Sequence, residues 1–486
     1  MLILVFISML LPGCDRGLTC GPGTTEHRGE CWPEVIDLDT DSDADTDTDA
    51  DSDSDADTDS DTDTDTGQVV RPALVYLLGG QSNMVGVGQV NALSPSLRLE
   101  QSDVWIYWSG WPAWRGLQPS SDYSDGSATY MGPEVSFGRA MADAHPDREV
   151  YLIKHAVGGT DLAEYWYPGV GDSDPTMGQG YAVWLQTVRD GLETLAAEGV
   201  EAQVAGMIWM QGESDATYEP WSLAYRGNLE HLIQRVRDDV GVDDLPFSLG
   251  LIDGRDLAVY RDSVRQAQQA VADADPAVFA FETEDLGTYP SDGWHYQGTG
   301  LRVMGERFAA TLLGLETPDF PTAAVEITGQ YAWSYTGAYT VGYRFELHQP
   351  MVLTDLGVFD LGGDGLMHSA EIALWDTASQ SLLATASMPS WDVADSSSYG
   401  GFRWVGVGAL ELLPGDYIVV NQAFASNYDY YVYDAPIQTP DAVSYVEGRH
   451  GVGSALQFPD AVSASDESAA LWFGANLMLR EPGGGW

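Results

Sequence analysis

The sequence predicts an α/β domain, three layers built around a parallel sheet, followed by an all-β sandwich. Two observations predict it. From about residue 70 to 316, short apolar runs alternate with amphipathic helical stretches, as they do where crossover helices connect parallel strands. Beyond TPDFPT (317–322), with two prolines in six residues, the helical period fades. Apolar–polar alternation takes over there, with Gly- and Asp-rich turns, as in antiparallel strands.

Ahead of these parts lies an export region. Residues 1–14, MLILVFISMLLPGC, are apolar but too short to span a bilayer as a helix, and suit a signal peptide. The ending at Cys14 resembles the lipobox of bacterial lipoproteins, which implies a lipidated Cys14 and an anchor in the outer membrane or at the cell surface. Residues 15–36 contain Cys20 and Cys31, expected to close the Gly-rich loop between them as a disulfide outside the cytoplasm. Within the linker 37–67, every second residue from 37 to 65 is aspartate. Like charges with little apolar surface to bury predict an extended spacer.

The formal charge of −53, from 21 basic against 74 acidic residues, removes the basic footprint that nucleic-acid binding needs. No cysteine follows Cys31, so thiol catalysis and Cys-zinc sites are unavailable in the two folded parts. No His-Glu-x-x-His or other metal spacing occurs, and no metal or cofactor is expected.

The expected domains are 68–316 and 323–486. In the first, strands are expected at 73–78, 150–157, 203–210, 247–252 and 278–282. Helices are expected near 134–144, 181–198, 222–239, 260–273 and 298–313. The last carries Leu301, Met304, Phe308 and Leu312 as one apolar stripe for packing on the sheet. In the second, strands are expected around 343–348, 372–375 and 417–420. VWIYWSGWPAW (104–114) is read as core and loop packing in preference to a sugar-stacking surface. Tyr428, Tyr430, Tyr431 and Tyr433 fit either a strand with tyrosines on both faces or a glycan platform.

Ligands of parallel sheets bind beyond the carboxyl ends of the strands. Three strand ends carry polar clusters: GQSNM (80–84), KHAVGGT (154–160) and WMQGESD (209–215). A fourth, SDGWH (291–295), precedes the last helix. Together they contain the parts of a serine hydrolase. Ser82 is the candidate nucleophile. His295 has Asp292 three residues before it in a turn, a spacing that sets a carboxylate against the imidazole. The N–H of Gly158 or Gly159 and the Gln211 side-chain amide are candidate donors to an oxyanion. Met84 stands where a Gly-x-Ser-x-Gly elbow would have its last glycine, which removes the α/β-hydrolase signature.

As a set, the four clusters resemble the blocks of the SGNH hydrolase superfamily, a flavodoxin-like α/β/α fold, and more narrowly its sialate O-acetylesterases and carbohydrate esterase family six. GPEVSFGRAM (132–141) is similar to that family's first long helix. The resemblance implies Ser82 as nucleophile, His295 as general base, Asp292 as the acid, and Ser82, Gly158 or Gly159 and Gln211 around the oxyanion. Glu213 is a second candidate for orienting His295. The activity implied is cofactor-free removal of O-acetyl groups from carbohydrate by a carboxylic ester hydrolase acting as a monomer. The contact with a membrane would be through the lipid alone. A non-catalytic glycan-binding or adhesion lipoprotein on the same fold is the alternative, and the presence of Ser82, His295 and Gln211 argues against it.

Overall fold

The computed structural model describes residues 24–27, 30–33, 72–119, 129–254, 257–289, 291–329, 332–334, 339–360, 365–366, 368–390, 401–423, 431–433, 436–452, 456–462 and 474–483. Cys14, Cys20, Tyr428, Tyr430 and the stretch 37–65 lie outside the described residues, as do the side chains of Cys31, Tyr431 and Tyr433. The chain forms two compact units, Met1–Gln68 and Val69–Trp486. In the first, Thr24–His27 pairs antiparallel with Glu30–Pro33.

The second unit opens on β1 (Ala73–Gly80), whose eight residues are all buried. A strand of Val, Leu and Tyr without alternation is one covered on both faces, which is the environment of a parallel sheet. Six strands of the seven-stranded sheet are β1, β2 (Gln101–Trp108), β4 (Val150–Ala156), β5 (Ala202–Met210), β6 (Phe247–Gly250) and β7 (Val278–Phe281). The seventh, β3 (Trp111–Leu117), pairs antiparallel at the edge, and the order is β7-β6-β5-β1-β4-β2-β3. All five expected strands are present. The 104–114 stretch, expected as core and loop packing, is a β-hairpin, β2 turning into β3. Its Trp105 stacks on Tyr151 and Trp114 meets the same ring edge-on, so these aromatics extend the core outward along the sheet.

The connecting helices are α2 (Glu134–Ala144), α3 (Gln179–Ala197), α4 (Glu219–Val240), α5 (Arg261–Ala274) and α6 (Gly298–Leu313), after a one-turn α1 (Ser82–Val85). Gly138 of α2 packs on Leu152, while Gly191 of α3 packs on Ile153. Neighbouring residues of a strand point to opposite faces, so the two helices cover opposite sides of the sheet and complete three layers. Leu301, Met304 and Phe308 of α6 are buried as the stripe predicts. Most of the rest of α6 is buried too, with Glu306 and residues 311–313 half-buried, and the β-sandwich lies against its outer face: Arg302 meets Asp355 at 2.8 Å and Glu306 meets Arg480 at 2.5 Å.

The sandwich is formed by β8 (Tyr339–Leu347), β9 (Met351–Phe359), β10 (Ala370–Asp376), β11 (Leu382–Met388), β12 (Phe402–Leu412), β13 (Gly415–Ala423), β14 (Val443–Val452) and β15 (Ala475–Arg480). One antiparallel sheet runs Thr322–Ala323, β15, β9, β12. The other runs β11-β10-β13-β8-β14 and ends on Ala461–Val462. Between them lies a core separate from that of the α/β part, with Trp404, Tyr343, Phe345 and Leu353 fully buried.

Candidate active site

Strand β1 sits where the order reverses, flanked by β4 and β5. In the register, Gly80 lies opposite both Ala156 and Met210. Three chain segments therefore leave the sheet side by side at a topological switch point. Gly80 has φ +148°, and a Cβ there would stand 2.1 Å from the Met210 carbonyl oxygen. Only glycine lets the chain turn out so close to β5. Gln81 N–H then bonds the Met210 carbonyl at 2.9 Å, and Ser82 starts α1 on the floor of a cleft of about 470 Å³.

That cleft is lined by Ser82, Gly158, Gly159, Glu213 and His295 among others. Gly158 sits against the serine, since a Cβ on it would be 3.5 Å from Ser82 Cβ. Gly159 has φ +70° and open space where a Cβ would stand, so it makes the turn while Gly158 faces Ser82.

His295 arrives from a loop that folds on itself. Tyr289 N–H bonds the His295 carbonyl at 2.8 Å, and the Asp292 carboxylate accepts from the Trp294 N–H (2.7 Å) and His295 N–H (3.0 Å). Its second oxygen meets His295 Nδ1 at 2.9 Å. The i,i+3 spacing thus does what the sequence suggests. Burial raises the Asp292 carboxyl, but the His295 backbone N–H, its imidazole and the Trp294 N–H outweigh it and hold the group below the usual carboxylate range.

Glu213 is placed differently. Its Oε1 accepts from Asn83 Nδ2 at 2.7 Å, and its Oε2 is buried without a hydrogen-bond partner. Burial pushes this carboxyl up. Nδ1 of His295 is thus met by Asp292, while Glu213 fastens Asn83. Asn83 in turn donates to the Trp294 carbonyl (3.1 Å) and accepts from Tyr296 N–H (3.1 Å), tying the histidine loop to the residue after Ser82.

Gln211 departs from expectation. It is fully buried beneath the cleft, and its Nε2 donates to Asp215 Oδ2 at 2.6 Å and to the Thr160 carbonyl at 3.0 Å. Tyr225 holds the opposite end by donating to Gln211 Oε1 at 3.1 Å. An amide has two N–H groups, and both are used inside the protein. Gln211 therefore has its amide protons turned away from the cleft; it belongs to the floor under the Gly158 loop.

The site brings a serine, a carboxylate-held imidazole and a serine-facing glycine to one cleft, a set suited to acyl transfer. Residues 72–314, half of the chain, match the family model described as carbohydrate esterase, sialic acid-specific acetylesterase. The chain belongs to this family. It is similar to a probable carbohydrate esterase of Arabidopsis thaliana, 24% identical over 219 residues, 41% of this chain and 75% of that protein. Among solved structures it is similar to an Arabidopsis thaliana protein (21% identity, TM-score 0.42, 50% of this chain and 99% of that one). A second is a carbohydrate acetylesterase from Xanthomonas citri (17% identity, TM-score 0.37, 76% and 78%).

This carbohydrate esterase also uses residues that the sequence offered without a role. Lys154, the single lysine of the chain, is 1% exposed. Its Nζ meets Glu134 Oε2 at 2.8 Å and donates to the Val85 carbonyl at 3.1 Å, the last residue of the helix that begins at Ser82. Glu134 also accepts the Gly132 N–H at 3.0 Å. Asn83, Asp215 and Lys154 all lie inside the quoted clusters, yet their partners are up to 213 residues away in sequence.

Proposed function

We propose that the chain is a serine esterase that removes O-acetyl groups from carbohydrate by a Ser-His-Asp mechanism, exported and held at the cell surface by lipid on Cys14. The observation that carries the catalytic reading is the 2.9 Å contact of Asp292 with His295 Nδ1 in the cleft that also holds Ser82 and Gly158. A carboxylate on Nδ1 leaves Nε2 as the free base. In the first step, Nε2 takes the Ser82 Oγ proton as Oγ bonds the acetyl carbon. The oxyanion that forms accepts from the Ser82 and Gly158 N–H groups. When the carbonyl reforms, the sugar oxygen leaves and receives the proton from His295. Water then attacks acetyl-Ser82, giving its proton to His295; acetate departs and Oγ is reprotonated.

The test is release of acetate from 4-nitrophenyl acetate and from acetylated xylan, acetylated pectin and O-acetylated sialic acid, by wild type and Ser82→Ala. Loss of about 10⁴-fold or more in the variant is expected. Equal rates would overturn the serine mechanism, and the polymer that releases acetate identifies the glycan. Membrane fractionation of wild type against Cys14→Ser tests the anchor: the variant is expected in the soluble exported fraction.

A further inference from the structure

Asp215 opens a one-turn 3-10 segment (Asp215–Thr217) behind the cleft and is fully buried. An aspartate in the first turn of a helix ordinarily serves its own N–H groups. Here Ala216 N–H bonds the Gly212 carbonyl and Thr217 N–H the Ser214 carbonyl, so the turn is satisfied without the carboxylate. Both carboxylate oxygens instead reach a loop more than 50 residues earlier. Oδ2 accepts from Leu162 N–H at 2.8 Å, and Oδ1 from Ala163 N–H at 3.2 Å. The third donor is Gln211 Nε2, whose other N–H holds the Thr160 carbonyl.

Thr160 closes the arrangement: its hydroxyl donates to the Val157 carbonyl at 2.7 Å and accepts from Trp166 Nε1 at 2.9 Å. The segment 157–163 is therefore clamped from Thr160 onward, and Gly158, which faces Ser82, is the part left to meet a reacting group. The clamp comes at a cost to the fold. Burial pushes the Asp215 carboxyl up to about 7 against its three donors, and Asp161 on the loop adds a like charge. Tyr225 of α4, which also faces it, is a phenol.

Resting on the serine-esterase reading above, we propose that Asp215 is a positioning residue of the reaction: with Gln211 it fixes 157–163 so that the Gly158 N–H points at the oxyanion, without itself touching substrate. The experiment uses the full chain and Asp215→Asn, a side chain of the same shape in which one acceptor oxygen becomes a donor. Four quantities are read: kcat and KM on 4-nitrophenyl acetate, inhibition by phenylboronic acid, and Tm at pH 8. The boronic acid adds to Ser82 Oγ as a tetrahedral anion, the serine proton passing to His295. It therefore reports the oxyanion site directly.

The expected result is a kcat reduced about 10- to 100-fold, a fraction of the effect of deleting an oxyanion donor, with KM within threefold. Boronate affinity should fall by the same factor as kcat, and Tm at pH 8 should match or exceed wild type, because a buried charge has gone. Gln211→Met, which removes the other arm of the clamp, should show the same kcat and boronate loss and serves if Asp215→Asn does not fold. Unchanged kcat, or kcat lost with boronate affinity intact, would overturn the proposal. Ser82→Ala in the same assay separates the two readings: if it stays active the serine mechanism fails, whereas if it is inactive and Asp215→Asn is unimpaired, only this proposal fails.

Discussion

Asp292→Asn is the substitution whose outcome follows most directly from hydrogen-bond direction. In wild type, one carboxylate oxygen takes two backbone N–H groups, at 2.7 and 3.0 Å, and the other takes His295 Nδ1 at 2.9 Å. An asparagine has one acceptor oxygen, and two backbone donors fix where it goes. The NH₂ then faces Nδ1, which must accept, and the proton moves to Nε2 on the Ser82 side. The base is blocked, and the imidazolium of the transition state loses a charge-assisted hydrogen bond of about 2–3 kcal/mol. At 1.4 kcal/mol per tenfold, that bond alone accounts for about 10²-fold. The wrong tautomer brings the expected loss in kcat/KM to about 10³-fold, with Tm nearly unchanged because the backbone bonds survive. Glu213→Gln, which keeps an oxygen for Asn83, should lose less than tenfold. Both are measured on 4-nitrophenyl acetate from pH 6 to 9. If Asp292→Asn stays within tenfold of wild type, or Glu213→Gln loses more, the assignment of the orienting carboxylate is wrong.

Two further outcomes concern stability. Lys154→Met leaves the Glu134 carboxylate buried without its cation, which costs about 3–5 kcal/mol, and frees the Val85 carbonyl. Tm should fall by several degrees, and adding Glu134→Gln should recover much of the loss; thermal denaturation of the two variants checks it. His155 is buried with Nδ1 2.7 Å from Ser109 Oγ, and burial lowers its pKa to about 4. The folded state thus resists protonation that the unfolded chain accepts near its ordinary value of 6.5. The stability this contributes is fully present above pH 6.5 and is lost as pH falls from 6.5 toward 4, by an amount on the order of 3 kcal/mol. His155→Asn should flatten a plot of Tm against pH over that window; an unchanged slope would assign the acid sensitivity elsewhere.

What could be read from the sequence, and what could not, divides by the range of the interactions. The parallel strands are legible because burial on both faces leaves continuous apolar runs. The Asp292–His295 pair is legible because three residues of one turn decide it. The β2–β3 hairpin escaped, since tryptophans separated by Ser-Gly-Trp-Pro show neither clean alternation nor a two-residue turn signal. Gln211 was misread for a different reason. It stands immediately after a strand, as an oxyanion donor would, but Tyr225, Thr160 and Asp215 draw its amide under the cleft. Residues 14 and 51 positions away, with one four positions on, set that direction, and no local pattern records it. Asn83 has partners 130, 211 and 213 positions distant and is invisible to spacing for the same reason.

The placement of Lys154 has a use beyond stability. The chain contains one lysine, and the fold seals it beneath the helix that starts at Ser82. An acylating reagent such as an N-hydroxysuccinimide ester therefore meets no side-chain amine on the closed protein. It modifies Lys154 only while the floor of the site is open. The rate at which the Lys154 adduct forms, followed by peptide mass, is a clock for breathing of the support under Ser82, without any introduced label. Ligands that rigidify the cleft should slow it.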